Sequence, residues 1–272
     1  MIVPLVNYLR VISNHKWLKL GLLAAMVLIG VSAIGSQSRG AFLAAGAMVF
    51  YFWTKSDKKL VSGIALIVIS VSIFTFMPQS WHDRMDTINT YEKDSSAMGR
   101  VNAWWEAFNV ANANLLGAGF DHTSPAAFAV YAPNPDHVQG PHSIYFQVLA
   151  GHGWIGLAMF LAYCILSLRL SKKIVKKTQN IRELNWANVL SRMVYVSLIA
   201  YAVGGAFLAL AYFDLPYHLI GILIVTNLIV DRELRKTAKS KVKTESVDHV
   251  DSEQEQTSLG KGLTGTATYN RY

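Results

Sequence analysis

The residues Pro141-His142-Ser143-Ile144-Tyr145-Phe146-Gln147-Val148-Leu149-Ala150-Gly151-His152-Gly153-Trp154-Ile155-Gly156 join the end of a long polar segment to an apolar run that continues to Leu168. A histidine therefore stands where a membrane helix emerges into water. Gly153 follows His142 by eleven residues, close to three helical turns, so a continuous helix would place both on one face. Tyr145, Phe146 and Leu149 fill that face between them, and Gly156 falls about forty degrees away. Glycines let a neighbouring membrane helix approach closely. The face under His142 is expected to turn into a bundle rather than toward lipid.

The rest of the chain agrees with a membrane setting. Of 272 residues, 52% are hydrophobic and only 15% charged, where a soluble domain carries about a quarter charged residues. Long apolar runs place spans at about 20–35, 41–53, 60–77, 144–168, 193–210 and 216–230. The reading is an all-α polytopic membrane protein of about six transmembrane helices. The membrane domain covers 1–230, with one large outer loop at 78–141, and a polar, Ser/Thr/Gly/Gln-rich tail at 231–272 is expected to be disordered. Residues 1–19 read as a mixed flank carrying Arg10, Lys16 and Lys19, without the cleavage pattern of a signal peptide.

Charge sets the expected orientation. The long loop has only Arg84, Lys93 and Arg100, whereas the far shorter 169–192 segment holds Arg169, Lys172, Lys173, Lys176, Lys177, Arg182 and Arg192. By the positive-inside tendency, both termini face the cytoplasm and the long loop faces outward. The net charge of +8 is accounted for by these flanks, and no nucleic-acid-binding motif accompanies it. The single cysteine, Cys164, excludes an intramolecular disulfide within the chain.

Within the outer loop, Val101, Trp104, Trp105, Phe108 and Ala111 recur at helical spacing, and Ser95 or Ser96 can cap the start. A short amphipathic helix resting at the membrane–water interface suits the two tryptophans. Leu116-Gly117-Ala118-Gly119-Phe120 ends it, and Pro133, Pro135 and Pro141 keep the approach to His142 extended.

Three residues stand out chemically. Arg39 lies in the turn Ser38-Arg39-Gly40 before the second span. A helix N-terminus with Gly40 admitting close approach favours an anion, and a guanidinium adds a forked phosphate ligand; the same arginine also suits snorkelling to lipid headgroups. Arg100, opening the interfacial helix on the same side, is either a second phosphate cation or a solvated helix-end charge. His142 is either a proton acceptor for an attacking hydroxyl or a structural histidine. His122, His137, Asp121 and Asp136 share the loop without the spacing of a metal ligand set, so no metal or cofactor is expected.

Taken together, these residues resemble a known family. His142-Ser143, nine residues, Gly153, two residues and Gly156 look like the outer-loop motif of the O-antigen ligase superfamily, and Ser38-Arg39-Gly40 resembles its membrane-edge arginine. A closer resemblance runs through Met77-Pro78-Gln79-Ser80-Trp81, Arg84-Met85, Ser96-Ala97-Met98-Gly99-Arg100, Ala103-Trp104-Trp105, Tyr131-Ala132-Pro133 and His142 to Gln147. These segments are similar to the O-glycosylation ligases associated with exosortase A systems, over about 35–168. The resemblance implies an inverting, metal-independent glycosyltransferase at the periplasmic face of a bacterial inner membrane. Its donor would be a glycan on undecaprenyl pyrophosphate, and its acceptor a hydroxyl on protein or glycolipid. It implies that His142 is the general base and that Arg39 and Arg100, with Ser38 and Gly40, bind the pyrophosphate.

Two features depart from the pattern. Relatives carry several more spans before the Ser-Arg-Gly turn, where this chain has one, which reads as the C-terminal part of a longer or split protein. Gly151 stands where the nearer relatives often place an acid. The alternatives to a ligase are an O-antigen or exopolysaccharide polymerase and a non-catalytic membrane partner.

Overall fold

The computed structural model describes residues 1–36, 39–54, 58–76 and 95–262. Side chains at 39–42 and 240–262 are not among them, and Ser38, Pro78, Trp81 and Arg84 lie outside the described residues. No strand occurs among the described residues, and nine α-helices do. They are α1 (Ile2–Ile12), α2 (Lys16–Gly35), α3 (Arg39–Thr54), α4 (Lys59–Phe76), α5 (Ser95–Ala113), α6 (Pro125–Tyr131), α7 (Ile144–Thr178), α8 (Asn185–Gly205) and α9 (Asp214–Gly262).

Helices stand at all six expected spans. Four stretches are long and apolar enough to cross a bilayer: Lys16–Ala33, Ile144–Thr178, Arg182–Gly205 and Asp214–Lys239. The apolar parts of α3 and α4 are shorter among the described residues. By its internal contacts the chain separates into two units, Met1–Ile224 and Val225–Tyr272, and the helix bundle belongs to the first.

Helix α8 is the post around which that bundle forms, packing against α1, α3 and α7. Its small and branched residues allow this: Ala187, Ser191, Val194, Ser197 and Ala200 are all buried. Ile144 and Val148 of α7, Phe160 further along it, Tyr201 of α8 and Ala211 form a core cluster beside it. Several polar groups at these helix contacts pair with one another, as lipid gives them no alternative. Ser171 donates to the Ser191 carbonyl at 2.6 Å, and Asn188 donates to Val175 O at 3.0 Å and Thr178 Oγ1 at 2.9 Å.

Several boundaries differ from expectation. The N-terminal flank forms α1, fastened by Ser197 Oγ donating to Met1 O at 2.7 Å. Helix α8 starts eight residues before the expected Met193, because Ala187, Asn188 and Ser191 are buried against α7 although the local sequence is polar. The segment read as a disordered tail is helical as far as Gly262. Its Glu, Arg, Lys and Ala residues are strong helix formers whatever their hydropathy, and Lys236 reaches back to Glu233 at 2.7 Å.

The largest correction concerns α7. His142 precedes the helix, and Ser143 is its N-cap residue. Gly153, at φ 65° and ψ −164°, breaks it into two helical pieces. His142 and Gly153 therefore do not share one helical face. The eleven-residue spacing carries two separate devices, a helix start and a helix break.

Candidate functional site

The break in α7 is where the outer loop is anchored. Past Gly153 the helical ladder is interrupted, so the carbonyls of Ala150 and Gly151 need other donors. The loop after α5 supplies them: Ala118 N–H donates to Ala150 O at 2.9 Å, and Gly119 N–H donates to Gly151 O at 2.9 Å. The approach is backbone against backbone. A Cβ at Gly117 would lie 2.6 Å from Ala150 O and from Gly153 N, and one at Gly153 would run into Leu115 O. A Cβ at Gly156 would run into that of His152, one turn back across the break. Both motif glycines thus serve the same bend. Gly151 has Tyr212 Oη 3.0 Å from its Cβ position, so a side chain there would displace that hydroxyl.

Helix α5 holds the other side of the site, and its amphipathicity is the reverse of a simple apolar stripe. Trp105 and Phe108 are exposed, while Asn102, Glu106 and small residues face inward. Phe108 meets Trp154 edge to face at 5.8 Å, giving an outer aromatic band of the kind found at membrane interfaces. Arg100 lies in the second turn of α5 instead of opening it, since the helix begins at Ser95.

The inward stripe recurs at Asn102, Glu106 and Asn109, and it organises the loop leading to His142. Asn102 Nδ2 donates to Asn134 O at 2.9 Å and His137 O at 3.1 Å, and its Oδ1 accepts from Asn134 N–H at 2.8 Å. Asn109 donates to Tyr131 O at 2.8 Å. Glu106 is fully buried, with Oε2 3.8 Å from Nδ1 of buried His122. Asn102 and Asn109 were not singled out from the sequence. The signal was present as three polar residues at i, i+4 and i+7 in a helix otherwise rich in alanine. Replacing Asn102 by alanine is expected to cost about 2–4 kcal/mol, because buried backbone groups lose their partners. Thermal unfolding of the purified chain, and protease cleavage between 132 and 141, would measure it.

His142 is set by its neighbours on both sides. Trp104 Nε1 donates to Pro141 O at 2.7 Å, and the Trp104 ring stacks on Phe146 at 5.0 Å with only 8° between planes. Tyr145 donates to Ala202 O at 2.8 Å, and Gln147 Oε1 accepts from Ala211 N–H at 3.2 Å. These ties clamp the residues after His142 to α8 and to the turn that follows it. Between the clamps, His142 adopts φ 43°, a left-handed conformation that costs a non-glycine residue energy and persists only where the surroundings impose it.

Arg100 lies close enough for its charge to act on His142. Burial first, and then the nearby Arg100 charge, hold the His142 imidazole below its ordinary 6.5. Arg100 Nε is itself buried and has no hydrogen-bond partner among the described residues, a donor held ready for an acceptor. Gly99, beside Arg100 in sequence, faces the side-chain tips of Gln139 and His137, its Cβ position 2.6 Å from His137 Nε2. Arg39 and Gly40 are the first two residues of α3, where unpaired amides favour an anion. His152 packs its ring against Phe120 at 5.4 Å and Tyr212 at 5.9 Å, as expected of a packing residue.

The site thus pairs a neutral-leaning imidazole with an unsatisfied guanidinium donor at the start of a membrane helix. Such an arrangement can accept a proton beside a bound anion. Among known proteins, the family model described as O-antigen ligase matches residues 24–161, just over half of the chain and from α2 into α7. No curated protein and no solved structure matches the chain.

Proposed function

The chain belongs to the O-antigen ligase family, and from that membership we propose that it transfers a glycan from undecaprenyl pyrophosphate to an acceptor hydroxyl. The observation carrying this reading is the Arg100 charge acting on His142, with the buried Arg100 Nε lacking a hydrogen-bond partner among the described residues. A pyrophosphate oxygen is the acceptor such a donor suits, and a guanidinium binds phosphate in its own plane. Arg39, at the amide-rich start of α3 with Ser38 and Gly40, is the second cation for the same group.

In this mechanism the acceptor hydroxyl attacks the anomeric carbon from the side opposite the pyrophosphate. The new glycosidic C–O bond forms as the bond to the phosphate oxygen breaks, with inversion at carbon. The hydroxyl proton passes to neutral His142. The electron pair leaves on undecaprenyl pyrophosphate, whose added charge Arg100 and Arg39 stabilise. No step calls on a metal. The active side is periplasmic in a bacterial inner membrane, with both termini cytoplasmic, following the cationic 169–192 segment. The nearer likeness to exosortase-associated ligases favours protein as the acceptor.

The experiment supplies a lipid-pyrophosphate oligosaccharide to membranes containing the full chain, with and without a chelator. Released lipid carrier and glycosylated acceptor are expected in equal amounts, and the chelator is expected to leave the rate unchanged. Glycan lengthened on its own lipid carrier, with no acceptor labelled, would establish a polymerase instead.

A further inference from the structure

At the other end of α7 from His142, a cleft of about 650 Å³ opens between α3, α7 and α8. From Trp154 to Lys172 the second piece of α7 rises about 27 Å, close to a bilayer core, so this cleft and the His142 site lie toward opposite membrane surfaces. Three cations face into it from two helices: Lys172 and Lys176 of α7, and Arg192 of α8. Tyr51 of α3 and Tyr195 of α8 form an aromatic wall, ring against ring at 5.4 Å. Lys172 Nζ stands over the Tyr195 ring, 5.3 Å from its centre. Phe52 and Met193 complete an apolar side, and no carboxylate is among the lining residues.

Topology alone does not call for this arrangement. The positive-inside tendency asks only for lysines and arginines near the ends of spans, and Arg169 and Lys173 on the same helix meet it while standing outside the cleft. Gathering three cations around one cavity, with no carboxylate among its described lining residues, brings like charges together at a cost. A bound anion removes that cost. The position at a membrane surface and the apolar side next to the cations select an anion carrying acyl chains.

We propose that this cleft is a binding site for an anionic phospholipid. Its headgroup phosphate pairs with Lys172, Lys176 and Arg192, and its chains lie along Phe52 and Met193. Basic pockets between membrane helices recognise such headgroups, each cation contributing a factor of about five in affinity. The site stands apart from the glycan reaction and does not depend on it.

The test uses the purified full chain in neutral detergent, titrated with cardiolipin, phosphatidylglycerol or phosphatidylcholine. Bound lipid is counted by native mass spectrometry, and the unfolding midpoint is followed in parallel. Anionic lipid is expected to bind and raise the midpoint, and phosphatidylcholine to do neither. The double variant Lys172→Gln/Lys176→Gln should bind about 20-fold more weakly. The matched double variant Arg169→Gln/Lys173→Gln, which removes the same charge from the same helix, should stay within about twofold of the parent. Arg192→Gln, on the other helix, should lose about fivefold and carries the test if the cleft double variant does not fold. Equal losses in both double variants would reduce the effect to diffuse charge and overturn the proposal. So would equal protection of the parent by inorganic pyrophosphate, which would make the cleft a site for soluble anions.

Discussion

Replacing His142 by alanine is expected to lower glycan transfer by about 10²–10⁴-fold, the range for losing a positioned general base. Alanine brings a complication, because position 142 sits at φ 43° and a Cβ residue without a polar side chain tolerates that region poorly. His142→Asn is the cleaner substitution. Asparagine accepts the left-handed conformation more readily, yet its amide takes no proton near neutrality. Equal loss of rate in both variants, with thermal midpoints near the parent's, assigns the effect to proton transfer. A transfer rate that survives His142→Asn would remove the histidine from the chemistry.

The pH profile gives a second, independent reading. Burial and then Arg100 lower the His142 pKa from 6.5, so the neutral, proton-accepting form persists below that pH. The acid limb of kcat/KM is therefore expected below 6.5, where kcat/KM reports the free enzyme. Arg100→Gln removes the second cause and leaves the first, so it should move the limb upward by only part of the shift. It should also raise KM for the lipid-pyrophosphate donor, since the pyrophosphate loses a charged partner. A limb at or above 6.5 in the parent would contradict the buried, Arg100-flanked setting.

The apolar runs made the membrane bundle legible, because a span advertises itself by length and composition without needing any partner. His142 and Arg100 were legible as residue types, and the structure adds that the Arg100 charge acts on the imidazole. What the sequence did not disclose depends on contacts distant along the chain. The Asn102, Glu106 and Asn109 stripe faces inward only because the loop from Pro125 to Pro141 covers it. Without that cover, only the face bearing Trp104 and Trp105 could be assigned, to the membrane–water interface. The helix running on from 231 to Gly262 is a related case, since hydropathy does not measure the helix propensity of its Glu, Arg, Lys and Ala residues.

The break at Gly153 was hidden for the same physical reason, and it carries the largest expected effect on folding. Gly153→Ala is expected to destabilise the chain by about 3–5 kcal/mol. The pair φ 65°, ψ −164° is open in practice to glycine alone, which puts roughly 1–3 kcal/mol on any other residue. The added methyl also runs into Leu115 O, so the loop must withdraw. Its two hydrogen bonds to Ala150 and Gly151 are then lost, at about 1 kcal/mol each. Gly46→Ala is the control, because a Cβ there meets nothing within 4 Å and alanine is the better helix former. The two variants should separate in a thermal unfolding series, Gly153→Ala falling well below the parent and Gly46→Ala matching or exceeding it. Parallel unfolding of Gly153→Ala and the parent would mean that α7 runs unbroken. His142 and Gly153 would then return to one helical face, and the loop at 115–119 would need another anchor.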